Sequence, residues 1–218
     1  PPRRGVTAAC ALQELGGGLT WDPTEAEDWI CKSRFAAIAA PGMLPGLMNL
    51  RKVRGELGVR TPLFTVEKLI APSSAAVVVG AQEGAVLGTA VEVMVGLGHP
   101  RGIALQGIEG GVLPSVRRRT RGIEMTDSSQ VPLTVEPMDF GLSSSTEPDL
   151  PMYGPPDEGK GSGDNPLLIK AAGEIVLKVL AGVEGPARNA TLLGAAVILK
   201  ASGRVPTLAE GVDAAITS

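Results

Sequence analysis

Two periods of apolar and polar positions alternate along this chain. Residues 7–17, TAACALQELGG, repeat their apolar positions at helical spacing and stop at a run of three glycines, Gly16 to Gly18. DPTEAEDWICKS, 22–33, predicts a second helix, with Asp22 as its N-cap, Pro23 in the first turn and acids beside the positive helix end. RFAAIAAPG, 34–42, is a short apolar run closed by Pro-Gly and predicts a buried strand. Leu44, Leu47, Met48 and Leu50 form a helical stripe within 44–58, and a short helix is expected after Pro62.

The middle of the chain changes period. AAVVVGA (75–81) and RGIALQG (101–107) read as buried strands, and 83–98 between them reads as a helix capped by Gly98. Strand, helix, strand is the rhythm of a mostly parallel sheet. RGIEMTDSSQVPLTVEP, 121–137, predicts a hairpin turning at Thr126 to Gln130. Residues 143–166 are dense in Ser, Pro and Gly and predict a flexible loop. From 165 the pattern is helical to the end, in three segments, and the middle one, 185–203, is apolar almost all round and should be buried.

Composition narrows the picture. A chain of 218 residues, 44% hydrophobic, is long enough for one sizeable core, so a single α/β domain over 1–218 is expected. The net charge of −3 excludes a global basic field, and 3% aromatics argues against a base-stacking platform. Cys10 and Cys31 are too few for a disulfide framework, which suggests a reducing compartment and a cytoplasmic location. The single His99, in the turn LGHPRG, is expected at the surface. No stretch reaches the roughly 18 unbroken apolar residues of a membrane span.

One local feature stands against this neutral background. QGIEGGVLPSVRRRTRG, 106–122, joins a Gly-rich turn carrying Glu109 to Arg117, Arg118, Arg119 and Arg121. The arginines form either a solvated loop or a patch for the phosphates of DNA or RNA. Four phosphate contacts would give a log–log salt slope of about −3.6.

Several segments in order resemble the anthranilate phosphoribosyltransferase fold of glycosyl transferase family 3. They are RGVTAACALQELG (4–16), VRGELGVRTPLFTVEKLIAP (53–72), VEPMDFGL (135–142) and GPARNATLLGAAVILKASGRVPTLAEGVDAAI (185–216). The resemblance implies a nucleoside phosphorylase/phosphoribosyltransferase-like α/β domain with flanking helices, with 44–70 as the remnant of a small helical domain, in a homodimer. It implies binding of phosphoribosyl pyrophosphate with magnesium and transfer of the pentosyl group to an aromatic or nucleobase acceptor, as in tryptophan biosynthesis.

The resemblance also assigns residues. Arg54 falls where the family faces an aromatic carboxylate, although it could equally pair with Glu56 or Glu67. Thr7 falls where hydroxyls meet phosphate, although an ordinary N-cap would look the same. Two departures matter. The family's early Gly-rich phosphate loop precedes the point where this chain begins, so the chain is expected to be N-terminally truncated. The family's Asp-Glu magnesium pair is replaced by GIEGGVL, which leaves Glu109 as the residual ligand or as a solvated strand-end acid. GIEG followed by a basic run resembles a branch that keeps the fold and includes nucleic-acid-binding members. The resemblance therefore implies impaired transfer activity or, alternatively, a non-catalytic nucleic-acid-binding protein.

Overall fold

A computed structural model describes residues 6–50, 53, 56, 67–82, 84–149 and 165–218. These residues form two compact units. One draws on Pro1–Ile70 and Leu150–Ala181, the other on Ala71–Asp149 and Gly182–Ser218.

The first unit is helical. Helix α1 (Ala8–Glu14) starts at Thr7, whose side chain accepts from the Cys10 N–H at 3.2 Å. It ends on Gly16 at φ +77°, with the Gly17 N–H reaching back to the Leu12 carbonyl at 2.8 Å, so the glycine run stops it as expected. Helix α2 (Pro23–Ser33) also follows its sequence signals, since Asp22 Oδ1 accepts from the Thr24 N–H at 2.9 Å and Pro23 occupies the first turn. The expected strand at 34–42 is not formed. Only Ile38 pairs, in an isolated parallel bridge with Thr20, and Ala40–Met43 turn into the short helix α3. Among the described residues the apolar run has no neighbouring strand to carry its hydrogen bonds, Phe35 is exposed, and Pro41 supplies no N–H. Of the stripe at 44–50 only Leu47 is buried, on α4 (Gly46–Asn49), and Leu44, Met48 and Leu50 are exposed. Most of 51–66 lies outside the described residues. Helix α6 (Pro166–Leu180) packs on α1, where Gly173 meets Glu14.

The second unit holds the sheet. Strand β1 (Val77–Gly80), helix α5 (Gly84–Gly96) and β2 (Arg101–Leu105) make the anticipated βαβ unit, with Val78 opposite Ile103 in parallel register. β3 (Thr120–Thr126) and β4 (Ser129–Val135) complete the order β1-β2-β3-β4. Both of their pairings are antiparallel. The described sheet is therefore mixed rather than mostly parallel. The reason is the link from β2 to β3, which folds back through the Gly-rich turn and the arginine run without a crossover helix. The hairpin turns at Asp127 and Ser128, at φ 47° and 70°, the double left-handed geometry of a type I′ turn.

Helices α7 (Pro186–Ala201) and α8 (Leu208–Thr217) complete this unit. Leu193, Ala196 and Val197 of α7 pack with Ile103, Leu105, Val116 and Val135 in one core, so one face of 185–203 is buried as expected, whereas Ile198 on another face is 56% exposed. Gly211 of α8 lets the two helices close, since a Cβ there would lie 2.9 Å from the Ala196 Cα.

His99 corrects its expected surface position, being 4% exposed. Helix α5 ends in a Schellman turn, with Gly98 at φ +79° and the His99 N–H bonded to the Met94 carbonyl at 3.1 Å. The residue after such a turn folds back against the helix. The ring Nδ1 lies 3.1 Å from the Ala75 carbonyl, and Nε2 is buried without a partner.

The hairpin provides a stability test. Ser128 adopts a left-handed conformation that suits glycine, so Ser128→Gly should stabilise the protein by about 0.5–1 kcal/mol in urea unfolding. A loss of stability would mean that Ser128 makes interactions outweighing its backbone strain.

Candidate functional site

The carboxyl ends of β1 and β2 lie side by side, and this edge is where open α/β sheets receive ligands. The chain leaves β2 at Leu105. Gln106 is held from two sides, its N–H donating to the Arg121 carbonyl at 2.8 Å and its side-chain amide to the Gln82 carbonyl at 2.9 Å. A short 3-10 turn, Ile108–Gly110, follows.

Glycine makes this turn possible. A Cβ on Gly80 would lie 2.2 Å from the Gly111 carbonyl oxygen, and one on Gly107 would lie 2.4 Å from the same atom. The turn thus sits directly on the end of β1, backbone against backbone. Glu109 rides at its crest, exposed, with φ 50° and ψ 30°, and Gly110 continues at φ +74°. A non-glycine residue in this region costs about 1–3 kcal/mol and persists only where its surroundings impose it.

Leu113 faces the core helix, where a Cβ on Gly194 would come within 2.8 Å of its Cδ2. Val112, one residue earlier, is 42% exposed. The turn therefore has one side chain turned to packing and one turned to solvent. Among the described residues no cluster of three or more His, Cys, Asp or Glu side chains could hold a metal ion. Glu109 is the one carboxylate of the stretch 106–113.

The arginine run starts from a buried pedestal. Pro114, Ser115, Val116 and Thr120 are buried, whereas Arg117, Arg118, Arg119 and Arg121 are exposed. Arg119 pairs with Glu136, Nε to Oε2 at 3.2 Å. Among the described residues Arg117, Arg118 and Arg121 have no ion pair. Glu109, Arg117, Arg118 and Arg119 belong to the connection between β2 and β3, and Arg121 to β3 itself, so the acid and the basic run share one unit.

The other candidates fall elsewhere. Thr7 is the N-cap of α1, in the first unit, with its hydroxyl also 3.1 Å from Cys10 Sγ. Arg54 lies outside the described residues. Sequence reasoning missed Ser115 and Glu147, which are bound to each other across more than thirty positions. Spacing carries no signal for such a pair.

The family described as "Glycosyl transferase family, a/b domain" matches residues 6–218, and the chain belongs to it. A relative named anthranilate phosphoribosyltransferase, from Geobacter sulfurreducens, is 31% identical over 214 residues, covering 96% of this chain and 57% of the relative. Another, "Anthranilate phosphoribosyltransferase 2" from Streptomyces coelicolor, is 27% identical over 99% of this chain and 62% of its own length. The crystal structure of anthranilate phosphoribosyltransferase from Thermus thermophilus superposes with a TM-score of 0.69 at 26% identity, over 96% of this chain and 58% of that one. The expected nucleoside phosphorylase/phosphoribosyltransferase-like α/β fold, with flanking helices, is thereby established. The chain spans well under two thirds of the length of these relatives. No helix among the described residues is long and apolar enough to cross a membrane.

The glycine seat of the turn yields a contrast in stability. Gly80→Ala should destabilise by about 1–3 kcal/mol, because backbone must move to admit the methyl group. Gly88→Ala, inside α5 with nothing within 4 Å, should instead stabilise by about 1 kcal/mol. Similar chemical-unfolding midpoints for the two variants would refute the close approach at Gly80.

Proposed function

We propose that this chain serves phosphoribosyl transfer, moving the pentosyl group of phosphoribosyl pyrophosphate to an aromatic or nucleobase acceptor. The observation that carries this reading is the family match across residues 6–218, with relatives named anthranilate phosphoribosyltransferase. A yeast anthranilate phosphoribosyltransferase of the same fold, at 19% identity, holds PRPP and magnesium.

In the reaction, the bond from ribose C1 to the pyrophosphate oxygen breaks and pyrophosphate leaves with the electron pair. The acceptor nitrogen forms the new bond to C1 and gives up a proton. The protein's task is positioning and charge stabilisation rather than acid–base work. The Gly-rich turn at 107–111 brings backbone close to the phosphates at the sheet edge, with Arg117 and Arg118 as cations on the same connection. Thr7 and Arg54 are proposed for phosphate and acceptor carboxylate respectively.

Magnesium fits this edge only in company with substrate. A single carboxylate, Glu109, would hold it, with the other oxygens coming from phosphates and water. The ion would supply charge neutralisation on the leaving group. One carboxylate in place of two makes the site a weak one, and transfer in this chain is proposed to be impaired accordingly.

A second reading, sequence-independent binding of DNA or RNA, is favoured by the exposed Arg117, Arg118 and Arg121, which lack ion pairs among the described residues. Their contacts would be to phosphate and indifferent to base sequence. A homodimer is also proposed, supported by the exposed apolar side chains Leu167, Leu177 and Leu180 of α6.

Titration calorimetry with pyrophosphate and phosphoribosyl pyrophosphate, with and without magnesium, tests the first reading. Glu109→Ala should abolish the magnesium dependence. Val112→Asp, which adds an acid at an exposed position of the same turn, should strengthen magnesium-dependent binding about tenfold, or 1.4 kcal/mol. Binding that ignores magnesium and both substitutions would overturn the metal assignment, and failure to release pyrophosphate with any aromatic or nucleobase acceptor would overturn the transfer reading.

For the second reading, affinity for single-stranded and duplex DNA should fall steeply between about 50 and 200 mM salt. It should be lost when Arg117, Arg118 and Arg119 are all replaced by alanine. Salt-independent binding, or a triple variant that binds equally well, would reduce the run to a solvated loop.

A further inference from the structure

We infer that Glu147 is a positioning residue for the arginine turn, acting through Ser115, and that it sets the display of Arg117 and Arg118 toward nucleic-acid phosphates. This rests on the nucleic-acid reading above and assigns a role to a carboxylate that the transfer chemistry does not use.

The hydrogen bonds form a short relay. The N–H groups of Arg117 and Arg118 each donate to Ser115 Oγ at 3.1 Å. The Ser115 hydroxyl donates in turn to one carboxylate oxygen of Glu147. The Val116 N–H donates to the other carboxylate oxygen at 3.2 Å. A serine hydroxyl has one proton to give and two lone pairs to offer, so Ser115 is used to capacity. Its own N–H is held by Thr120 Oγ1 at 2.9 Å, which closes the base of the loop.

The segment bearing Glu147 is itself anchored. The Ser144 N–H donates to the Val116 carbonyl at 2.8 Å, the Leu142 N–H to the Pro137 carbonyl at 3.0 Å, and Asn189 of α7 donates to the Leu142 carbonyl at 3.2 Å. The carboxylate therefore reaches the turn from a fixed support. Ser115 and Val116 are buried at 4% and 0% exposure, while the arginine side chains next to them are exposed. Without the carboxylate, a buried hydroxyl and a buried N–H lose their acceptor together. Glutamine cannot replace it, because its amide has one accepting atom for two donors and turns an N–H₂ toward one of them.

The sign of the effect separates positioning from charge. Glu147 and Glu136 are both acids at this patch, and each becomes neutral on substitution by glutamine. Charge alone makes both variants bind a polyanion more tightly. Glu136 only pairs with Arg119 at the exposed surface, so Glu136→Gln should tighten binding by about threefold. Glu147→Gln should weaken it, by about tenfold, because the turn loses its anchor.

Fluorescence anisotropy of the 218-residue chain with a labelled single-stranded oligothymidylate, at about 50 mM salt, measures these affinities. Ser115→Ala should match Glu147→Gln, Ser115→Thr should retain binding through its hydroxyl, and the double variant Ser115→Ala/Glu147→Gln should be no weaker than the weaker single. Faster hydrogen exchange at the Arg117 and Arg118 amides in Glu147→Gln, with the rest of the sheet unchanged, should accompany the loss. If the wild-type chain binds but Glu147→Gln binds as tightly or more tightly, the positioning role is overturned and the nucleic-acid reading stands. If the wild-type chain shows no salt-dependent binding, both are overturned. Should Glu147→Gln fail to fold, the Ser115 pair decides: equal binding by Ser115→Ala and wild type overturns the relay.

Discussion

Burial of helix α7 against the sheet is the constraint on which the second unit depends. Leu193, Ala196 and Val197 are at most 1% exposed and pack with Ile103 and Leu105 of β2, the central βαβ strand. Leu193 and Val197 each contribute about 1.5–3 kcal/mol by leaving water, and the smaller Ala196 less. The same helix reaches beyond the sheet. Gly194 lies against Leu113, whose Cδ2 would be 2.8 Å from a Cβ at that position, and Asn189 holds the Leu142 carbonyl. One helix thereby supports both the Gly-rich turn and the segment that carries Glu147. The exposed chemistry of residues 106–121 is attached to a helix whose inner face lies in the core of the unit.

That attachment explains how an irregular connection can be well defined. The stretch from Gln106 to Arg119 has no regular partner strand, so each of its anchors is particular. Glycines 80, 107 and 111 let backbone meet backbone. Thr120 and Glu147 take the hydrogen bonds that a strand would otherwise take. Leu113 and Val116 turn inward while Glu109 and the arginines turn outward. The connection alternates anchors and displayed groups, much as a strand alternates its two faces, but the period is set by local contacts.

The parts of this fold that were legible in the sequence are those governed by local periodicity. The βαβ unit, the hairpin turning near Asp127 and the buried 185–203 helix follow from spacing and turn chemistry alone. Strand direction did not, because a period of two is the same for parallel and antiparallel neighbours, and β3 and β4 make the sheet mixed. The run at 34–42 has strand composition, yet a strand needs a partner, and among the described residues only Thr20 provides one. His99 carried turn signals correctly, but a Schellman turn places the following side chain inside, which composition does not report. At the site, the Gly-rich turn and the arginines were visible as residues. The left-handed backbone of Glu109 and the Ser115–Glu147 contact were not, since both are imposed by tertiary neighbours.

The two functional readings share one physical problem, the stabilisation of phosphate at the carboxyl edge of a sheet, and differ in how charge is balanced. A divalent ion needs carboxylates to hold it, and those carboxylates repel phosphate whenever the ion is absent. Guanidinium groups need no ion and meet phosphate directly in bidentate geometry. In this chain Leu113 is half-buried against Gly194, so a charge there would be partly desolvated beside an apolar helix. Val112 faces solvent and is free of that cost. The packing of α7 thus limits how many acids the turn can carry, while the exposed surface after Val116 places no such limit on arginines. Under the proposed readings, phosphate at this edge would then be held by arginine more than by a metal ion.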